Sequence, residues 1–236
     1  MKIPVFVIAF NNITYIKSTI NQLIKLSVEL IIIVDNNSTY EPLLKYYEDN
    51  NGKFTVVRMN KNYGHMVVTN CFYDILPNVF AITDPDLEFN ENLPKDFLDQ
   101  LYRLTEQYSM AKVGFALDIS EPHLLNDQLK YMGYSIIQWE SRFWKDRVCN
   151  TKYELYSADI DTTFAVYNKK YNWSRCMRVA KNFTAKHLPW YIEHKLPDDE
   201  LTYYETNKIT GTWNISRKLI NAINLINQST NKLTNK

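Results

Sequence analysis

Short apolar runs alternate with segments of helical spacing through the first half of the chain, and this alternation constrains the fold most. Residues 3–10 form an almost wholly apolar run, as expected for a strand covered on both faces. Ile16, Ile20 and Leu23 then repeat at helical spacing. Strands that alternate with helices predict an α/β fold with a mostly parallel sheet. The other predicted strands are 30–34, 54–58, 79–82 and 113–117.

Local motifs predict where several helices begin. Ser38 and Glu41 have capping-box spacing before the second helix, and Pro42 lies in its first turn. Gly64 is predicted to begin the helix after the third strand, and Pro94 to open the helix after the fourth.

The regular pattern ends near residue 118. Beyond it, tryptophans lie among charges and short runs, and only residues 161–167 are predicted as a strand. We therefore expect one domain over residues 1–212, with a nucleotide-binding half (1–118) and an irregular acceptor half (119–212). Residues 213–236 predict a C-terminal amphipathic helix and polar tail, because Ile215, Leu219, Ile223 and Ile226 repeat at helical spacing. That helix would pack on its own domain or mediate an oligomer.

Composition excludes several classes of function. A formal net charge of +1 gives no electrostatic basis for binding nucleic acid. Cys71, Cys149 and Cys176 match neither a zinc pattern nor a disulfide framework, which favours a reducing compartment. With no expected signal peptide or membrane-spanning run, we predict a cytoplasmic protein, free or peripheral to a membrane. The composition, rich in Asn, Lys, Ile and Tyr, is typical of an AT-rich microbial or viral genome, and a viral protein would act in the host cytoplasm.

Two carboxylates, Asp84 and Asp86, follow the apolar run at 79–82, with Pro85 between them to end the strand. Open α/β sheets bind ligands at the carboxyl ends of their strands. A pair of Asp at that edge would bind Mg²⁺ or Mn²⁺ and leave positions for nucleotide phosphates. The alternative is an ordinary polar turn, since Asp and Pro are common turn residues.

In this context the chain resembles family 2 glycosyltransferases of the GT-A fold. The matching stretches are PVFVIAFNN (4–12), IVDNNS (33–38), NKNYGH (60–65) and TDPD (83–86). The resemblance covers the first half well and the second half only in fragments. It implies a Rossmann-like sheet flanked by helices. It also implies metal-dependent transfer of a sugar, with inversion, from a UDP-sugar or, less expected, a GDP- or other NDP-sugar to a hydroxyl of a glycan or other acceptor.

By this resemblance, Asp35 recognises the nucleotide base, since a carboxylate can accept the ring N–H of uracil. The alternative is that Asp35 only caps the following helix. Phe10 and Asn11 would line the base pocket. Asn60 and Gly64 would place backbone near the nucleotide, because glycine lacks a Cβ.

The resemblance also implies a set of metal ligands. Asp86 would contact the metal directly, while Asp84 would touch the ribose or water ligands of the metal. His187 would be an additional ligand, and an imidazole ligand favours Mn²⁺ over Mg²⁺. The alternative for His187 is hydrogen-bonded packing.

The acceptor side is predicted from fewer signals. An inverting transferase needs a carboxylate that takes the proton of the attacking hydroxyl. Asp161 is the candidate base and Asp159 the second choice, with a surface turn as the alternative. Trp190 and Tyr191 could stack on a sugar ring, or could pack in the core. The acidic run 198–200 is predicted to be a solvated helix start.

Two other functions stay open. A sugar-phosphate nucleotidyltransferase also uses a nucleotide-binding sheet and metal-binding Asp, but it would begin with a Gly-rich, basic loop after the first strand. Phe10, Asn11 and Asn12 occupy that place here. A nucleotide- or glycan-binding module could keep the fold without turnover.

Overall fold

The computed structural model of the protein describes residues 2–207, so the predicted helix and tail at 213–236 lie outside it. The strands are β1 Val5–Ala9, β2 Ile31–Asp35, β3 Thr55–Arg58, β4 Val79–Thr83, β5 Leu87–Phe89, β6 Lys112–Leu117, β7 Lys130–Tyr131, β8 Tyr134–Ser135, β9 Arg147–Val148, β10 Leu155–Ser157, β11 Ala165–Asn168 and β12 Cys176–His187. The helices are α1 Ile13–Lys25, α2 Glu41–Asp49, α3 Val67–Phe72, α4 Phe97–Tyr108, α5 Ile136–Glu140 and α6 Asp198–Asn207. Short 3₁₀ helices lie at Pro122–Leu124, Ser141–Trp144 and Leu188–Trp190.

The central sheet has ten strands in the order β3-β2-β1-β4-β11-β6-β12-β10-β9, with β5 paired to β12. Six of these strands, β3, β2, β1, β4, β6 and β12, run in one direction, and β11 runs against them between β4 and β6. Helices flank this sheet, which confirms the predicted α/β class with a mostly parallel centre. Because β11 of the second half lies between two strands of the first, the two predicted halves share one sheet.

The core forms on both faces of the sheet, as near-continuous apolar strands require. The helical stripe of α1 is fully buried, and the Asn12 side chain accepts a hydrogen bond from the Tyr15 N–H at its start. Stacked rings of Phe115 and Phe164, with centroids 4.6 Å apart, join β6 to the residue before β11.

Three predicted helix starts are wrong. The helix after β3 begins at Val67 rather than Gly64. The helix after β5 begins at Phe97 rather than Pro94, because a turn closed by the Phe97 N–H and the Pro94 carbonyl precedes it. No capping box forms before α2, because the Ser38 hydroxyl instead accepts the N–H of Asn11. Asn11, which is remote in sequence, therefore forms the hydrogen bond with Ser38 that the local spacing predicted for the start of the helix.

The second half also differs from its prediction. The predicted strand at 161–167 begins only at Ala165, because residues 161–164 form a loop that bonds to the end of β4. The acidic run does start α6, but Glu200 is buried rather than solvated. Its carboxylate accepts the backbone N–H of Thr14 at 2.9 Å and the hydroxyl of the same residue, at the start of α1.

Candidate active site

Three parallel strands end at one edge of the sheet. The register places Ala9 of β1 beside Asp35 of β2, and Val7 of β1 beside Thr83 of β4. The residues that follow these strands therefore lie close together, at the edge where open α/β sheets bind ligands. They are Phe10 and Asn11 after β1, Asp35 at the end of β2 and Asp84 after β4.

Asn11 is buried and joins the end of β1 to the loop before α2. Its Oδ1 accepts the N–H groups of Thr39 at 2.7 Å and Tyr40 at 3.1 Å. Its φ of 47° is in the left-handed region, which Asn tolerates better than most residues. Phe10 is half-buried, with its ring 6.3 Å from that of Tyr204.

Asp35 is fully buried, and both its carboxylate oxygens already have partners within the chain. Oδ1 accepts the Ser38 N–H at 2.8 Å, and Oδ2 accepts the Tyr47 hydroxyl at 2.9 Å. The guanidinium of Arg58 lies 3.8 Å away. These bonds fix the turn after β2 and the position of α2. The Asp35 side chain is 0% exposed, so this structure offers a nucleotide base no open access to the carboxylate. The predicted base contact stays a prediction.

The loop at residues 60–65 is fixed to the end of β2 by Asn36, a contact that the sequence did not reveal. Asn36 donates to the carbonyl of Gly64 at 3.0 Å and accepts the N–H of Tyr63 at 3.1 Å. Asn60 accepts the Tyr63 hydroxyl. Gly64 has φ +79° and open space where a Cβ would lie, so its conformation favours glycine and packing does not.

Asp84 is bound to the loop before β11 by two hydrogen bonds. Its N–H donates to the Thr162 carbonyl at 2.9 Å, and its Oδ2 accepts the Thr162 hydroxyl at 2.8 Å. Burial and the neighbouring Asp86 carboxylate raise the pKa of Asp84 well above its usual range. Such a carboxyl group is costly to ionise unless a cation offsets its charge.

Asp86 lies beside His187, because β5 and β12 pair in a register that puts His187 opposite Leu87. His187 Nε2 is 3.5 Å from Asp86 Oδ2. Asp86 Oδ1 and His187 Nδ1 are buried, and neither has a hydrogen-bond partner among the residues that the structure describes. Burial lowers the pKa of His187 to about 4 and raises that of Asp86, so the imidazole is neutral near pH 7.

This pair fits a divalent metal ion by its donor atoms. A neutral imidazole and a carboxylate are ligands that Mn²⁺ accepts, and unpartnered buried polar atoms are otherwise rare. No three His, Cys, Asp or Glu side chains within residues 2–207 are grouped closely enough to hold a metal by themselves. Mn²⁺ or Mg²⁺ commonly completes its shell with phosphate oxygens and water, so the pair fits a metal that arrives with a nucleotide.

Asp161 lies at the rim of this site. Its carboxylate is 72% exposed and 3.8 Å from the Nε2 of His65, which is 64% exposed. Asp161 directly precedes Thr162, whose carbonyl and hydroxyl both bond to Asp84. Asp159 is also exposed. The structure thus brings Asp84, Asp86, His187 and Asp161 into one region.

Trp190 and Tyr191 do not present their rings at this rim. Both are buried in the main core, and the Trp190 ring packs against His187 with centroids 4.7 Å apart. The Tyr191 hydroxyl donates to the Asp118 carbonyl at 2.9 Å. Their predicted stacking on a sugar stays a prediction, and the packing alternative describes where they lie.

Comparison with known proteins places this geometry in context. The sequence profile of glycosyl transferase family 2 matches residues 5–174, a range that includes Asp84, Asp86 and Asp161 and ends before His187. Among solved structures, the chain is similar to a CMP:2-keto-3-deoxy-manno-octonic acid synthetase complexed with CTP. The identity is 9% and the TM-score 0.42, over 72% of this chain and 75% of that chain. None of the curated proteins compared with the chain matches it.

No helix within residues 2–207 is long and apolar enough to cross a membrane.

Proposed function

Because the chain belongs to glycosyl transferase family 2, we propose that it transfers a sugar from a UDP-sugar to a hydroxyl group of a glycan acceptor, with inversion at the anomeric carbon. The proposal includes a divalent metal ion, Mn²⁺ before Mg²⁺, bound by Asp86 and His187 with Asp84 beside them. The observation that carries it is the buried Asp86–His187 pair, in which Asp86 Oδ1 and His187 Nδ1 have no hydrogen-bond partner within the described residues.

A metal ion held by Asp86 and His187 would offset the negative charge that develops on the leaving diphosphate. The chain's own residues supply the other functions. Asp84 is held by Thr162 at the edge where the nucleotide would lie. The exposed carboxylate of Asp161 takes the proton of the acceptor hydroxyl as its oxygen forms the new bond to the anomeric carbon. The bond from that carbon to the diphosphate oxygen breaks on the opposite face, which inverts the configuration.

A thermal-shift panel of UDP, GDP and CDP, each with Mn²⁺, Mg²⁺ or a chelator, tests the donor side. A ligand that binds only the folded protein stabilises it and so raises its melting temperature. At a ligand concentration a hundred times Kd, the free energy of unfolding increases by about 2.7 kcal/mol. We expect a metal-dependent rise with UDP, and Asp86→Ala should abolish the metal-dependent part. Asp74→Ala, which changes an exposed carboxylate after α3, is the matched control. An unchanged shift in Asp86→Ala would refute the metal assignment.

Asp161→Asn tests the acceptor side. The substitution keeps the shape of the side chain but removes the base, so we expect loss of sugar transfer while Mn²⁺-dependent binding of UDP is kept. Transfer at the wild-type rate in Asp161→Asn would exclude Asp161 as the base, and Asp159→Asn would then be measured in the same assay.

The same assays distinguish the two alternative functions. Saturable UDP binding without turnover of any donor would indicate a binding module. Release of pyrophosphate from a nucleoside triphosphate and a sugar phosphate, in place of UDP release from a UDP-sugar, would indicate a nucleotidyltransferase.

A further inference from the structure

The loop that carries Asp159 and Asp161 is fixed to the sheet through four consecutive backbone carbonyl groups. Each carbonyl of residues 159–162 accepts a hydrogen bond from a donor on, or next to, a different strand of the sheet. The donors are Arg178 Nε of β12 to residue 159 at 2.7 Å, Lys112 Nζ of β6 to residue 160 at 3.5 Å, Tyr167 Oη of β11 to residue 161 at 3.3 Å, and the Asp84 N–H after β4 to residue 162 at 2.9 Å.

The shortest of these bonds comes from Arg178, whose guanidinium is itself held by two neighbouring side chains. It is 4% exposed and forms an ion pair with Glu140, which is 1% exposed and lies at the end of α5. The ring of Phe143 packs 4.1 Å from its guanidinium carbon. A guanidinium with fixed surroundings presents its Nε–H in one direction, and here that direction is the Asp159 carbonyl.

The other two side-chain donors are also buried. Lys112 is 8% exposed, and its ammonium group lies 4.6 Å from the ring centre of Trp173. Tyr167 is 2% exposed, and its ring stacks on Phe80 at a centroid distance of 5.1 Å. Both side chains direct their polar ends at the loop backbone from within the core.

The Asp161 side chain, in contrast, is 72% exposed, and its one ion pair within residues 2–207 is the 3.8 Å contact with His65 Nε2. Its position is therefore set through its backbone rather than through its carboxylate. We propose that Arg178, Lys112 and Tyr167 are positioning residues, which hold the backbone of residues 159–162 so that the Asp161 carboxylate stays at the rim beside Asp84. This inference rests on the proposed function, in which Asp161 is the base. A displacement of about 1 Å in a reacting group can reduce a rate about a hundredfold, so loosening the backbone should slow transfer.

Two variants test the inference with little change in packing. Tyr167→Phe removes one donor and keeps the stacked ring, and Arg178→Lys keeps the charge but cannot reproduce both the Glu140 pair and the bond to residue 159. We expect kcat for UDP-sugar turnover to fall about threefold to tenfold in Tyr167→Phe and more in Arg178→Lys. The KM for the donor should stay within about twofold of wild type, because none of the removed bonds reaches the nucleotide.

Val179→Ala is the matched control, because Val179 is a fully buried neighbour of Arg178 on β12 with no bond to the loop. It should lower the melting temperature while keeping kcat, and all variants are assayed at a temperature where they are folded. Equal kcat values in wild type, Tyr167→Phe and Arg178→Lys would overturn the positioning role alone, as would a parallel loss in Val179→Ala. A wild-type protein that turns over no UDP-sugar would instead refute the proposed function and, with it, the role of Asp161.

Discussion

Removal of one partner of the buried Glu140–Arg178 ion pair is expected to destabilise the protein strongly. Both side chains are almost fully buried, and a guanidinium N–H of Arg178 donates to Glu140 Oε1. Glu140→Ala would leave the guanidinium charge buried without its carboxylate, which costs about 3–5 kcal/mol in comparable pairs. For a chain of this size each kcal/mol lowers Tm by about 2–4 °C, so we expect Tm to fall by about 6–20 °C.

Urea unfolding of four proteins measures this effect as a double-mutant cycle. The proteins are wild type, Glu140→Met, Arg178→Met and the double variant. Because the double variant removes both charges, it leaves no unpaired ion, and its loss should fall short of the sum of the single losses by about 2 kcal/mol or more. Asp49→Ala is the control for an exposed pair, since Lys45 and Asp49 are 69% and 55% exposed and 2.9 Å apart. Its loss should be small compared with either loss in the buried pair, because solvent screens charges at the surface.

Two outcomes would contradict this reasoning. A single substitution at Glu140 that costs less than about 1 kcal/mol would mean that the guanidinium finds water or another acceptor. Additive losses in the double variant would mean that the two charges do not interact in the folded protein.

Two further predictions follow from the site and from the strand next to it. Burial raises the pKa values of Asp84 and Asp86. In metal-free protein, the contribution of these two groups to the free energy of unfolding is therefore complete below their unfolded pKa near 4. That contribution is lost as the pH rises through the raised pKa values of the folded protein. Because Mn²⁺ binds the ionised carboxylates, its stabilising effect with UDP should be larger at pH 8 than at pH 5.5, and equal melting-temperature gains at the two pH values would argue against these ligands. Gly114→Ala should lower the free energy of unfolding in urea by about 3 kcal/mol or more, because the new Cβ would overlap the Phe164 carbonyl and the Ala165 backbone. Gly133→Ala is the control: Gly133 has φ +84° and open space around it, so its loss should be only about 1–2 kcal/mol. Equal losses in the two variants would show that the sheet adjusts at Gly114.

The strand ends that meet at the candidate site could be predicted because their sequence signals are local. Apolar runs of β1, β2 and β4 are covered on both faces, so they are recognisable without knowledge of their neighbours. Polar residues at the ends of such strands must meet at one edge, and the structure confirms that arrangement for Asn11, Asp35 and Asp84. Their bonding partners were not predictable in the same way. Asn36 and Tyr47 act through contacts that no spacing in the sequence specifies.

The second half could not be predicted because its decisive contacts are remote in sequence. β12 is the longest strand, but its alternation breaks at a register shift between Val179 and Thr184, where Lys181 has φ 57°. Arg178 also looks like a surface residue until Glu140 is known to lie beside it. A strand is recognised from alternating apolar and polar residues, and a register shift or a buried charged residue interrupts that alternation. The sequence pattern therefore does not predict β12.

The Asp84-Pro85-Asp86 segment is held by residues from the second half of the chain, so both halves contribute to the candidate site. Asp84 is bound by Thr162, which precedes β11, and the Asp86 carbonyl accepts the N–H of Leu188, which follows β12. Residues of the first half thus supply the carboxylates, while residues of the second half fix their positions. The Thr162 carbonyl that binds Asp84 also ends the series of anchored carbonyls under Asp161. A shift of residues 159–162 would therefore move the Asp161 carboxylate and the Asp84 end of the site together, because one backbone segment holds both.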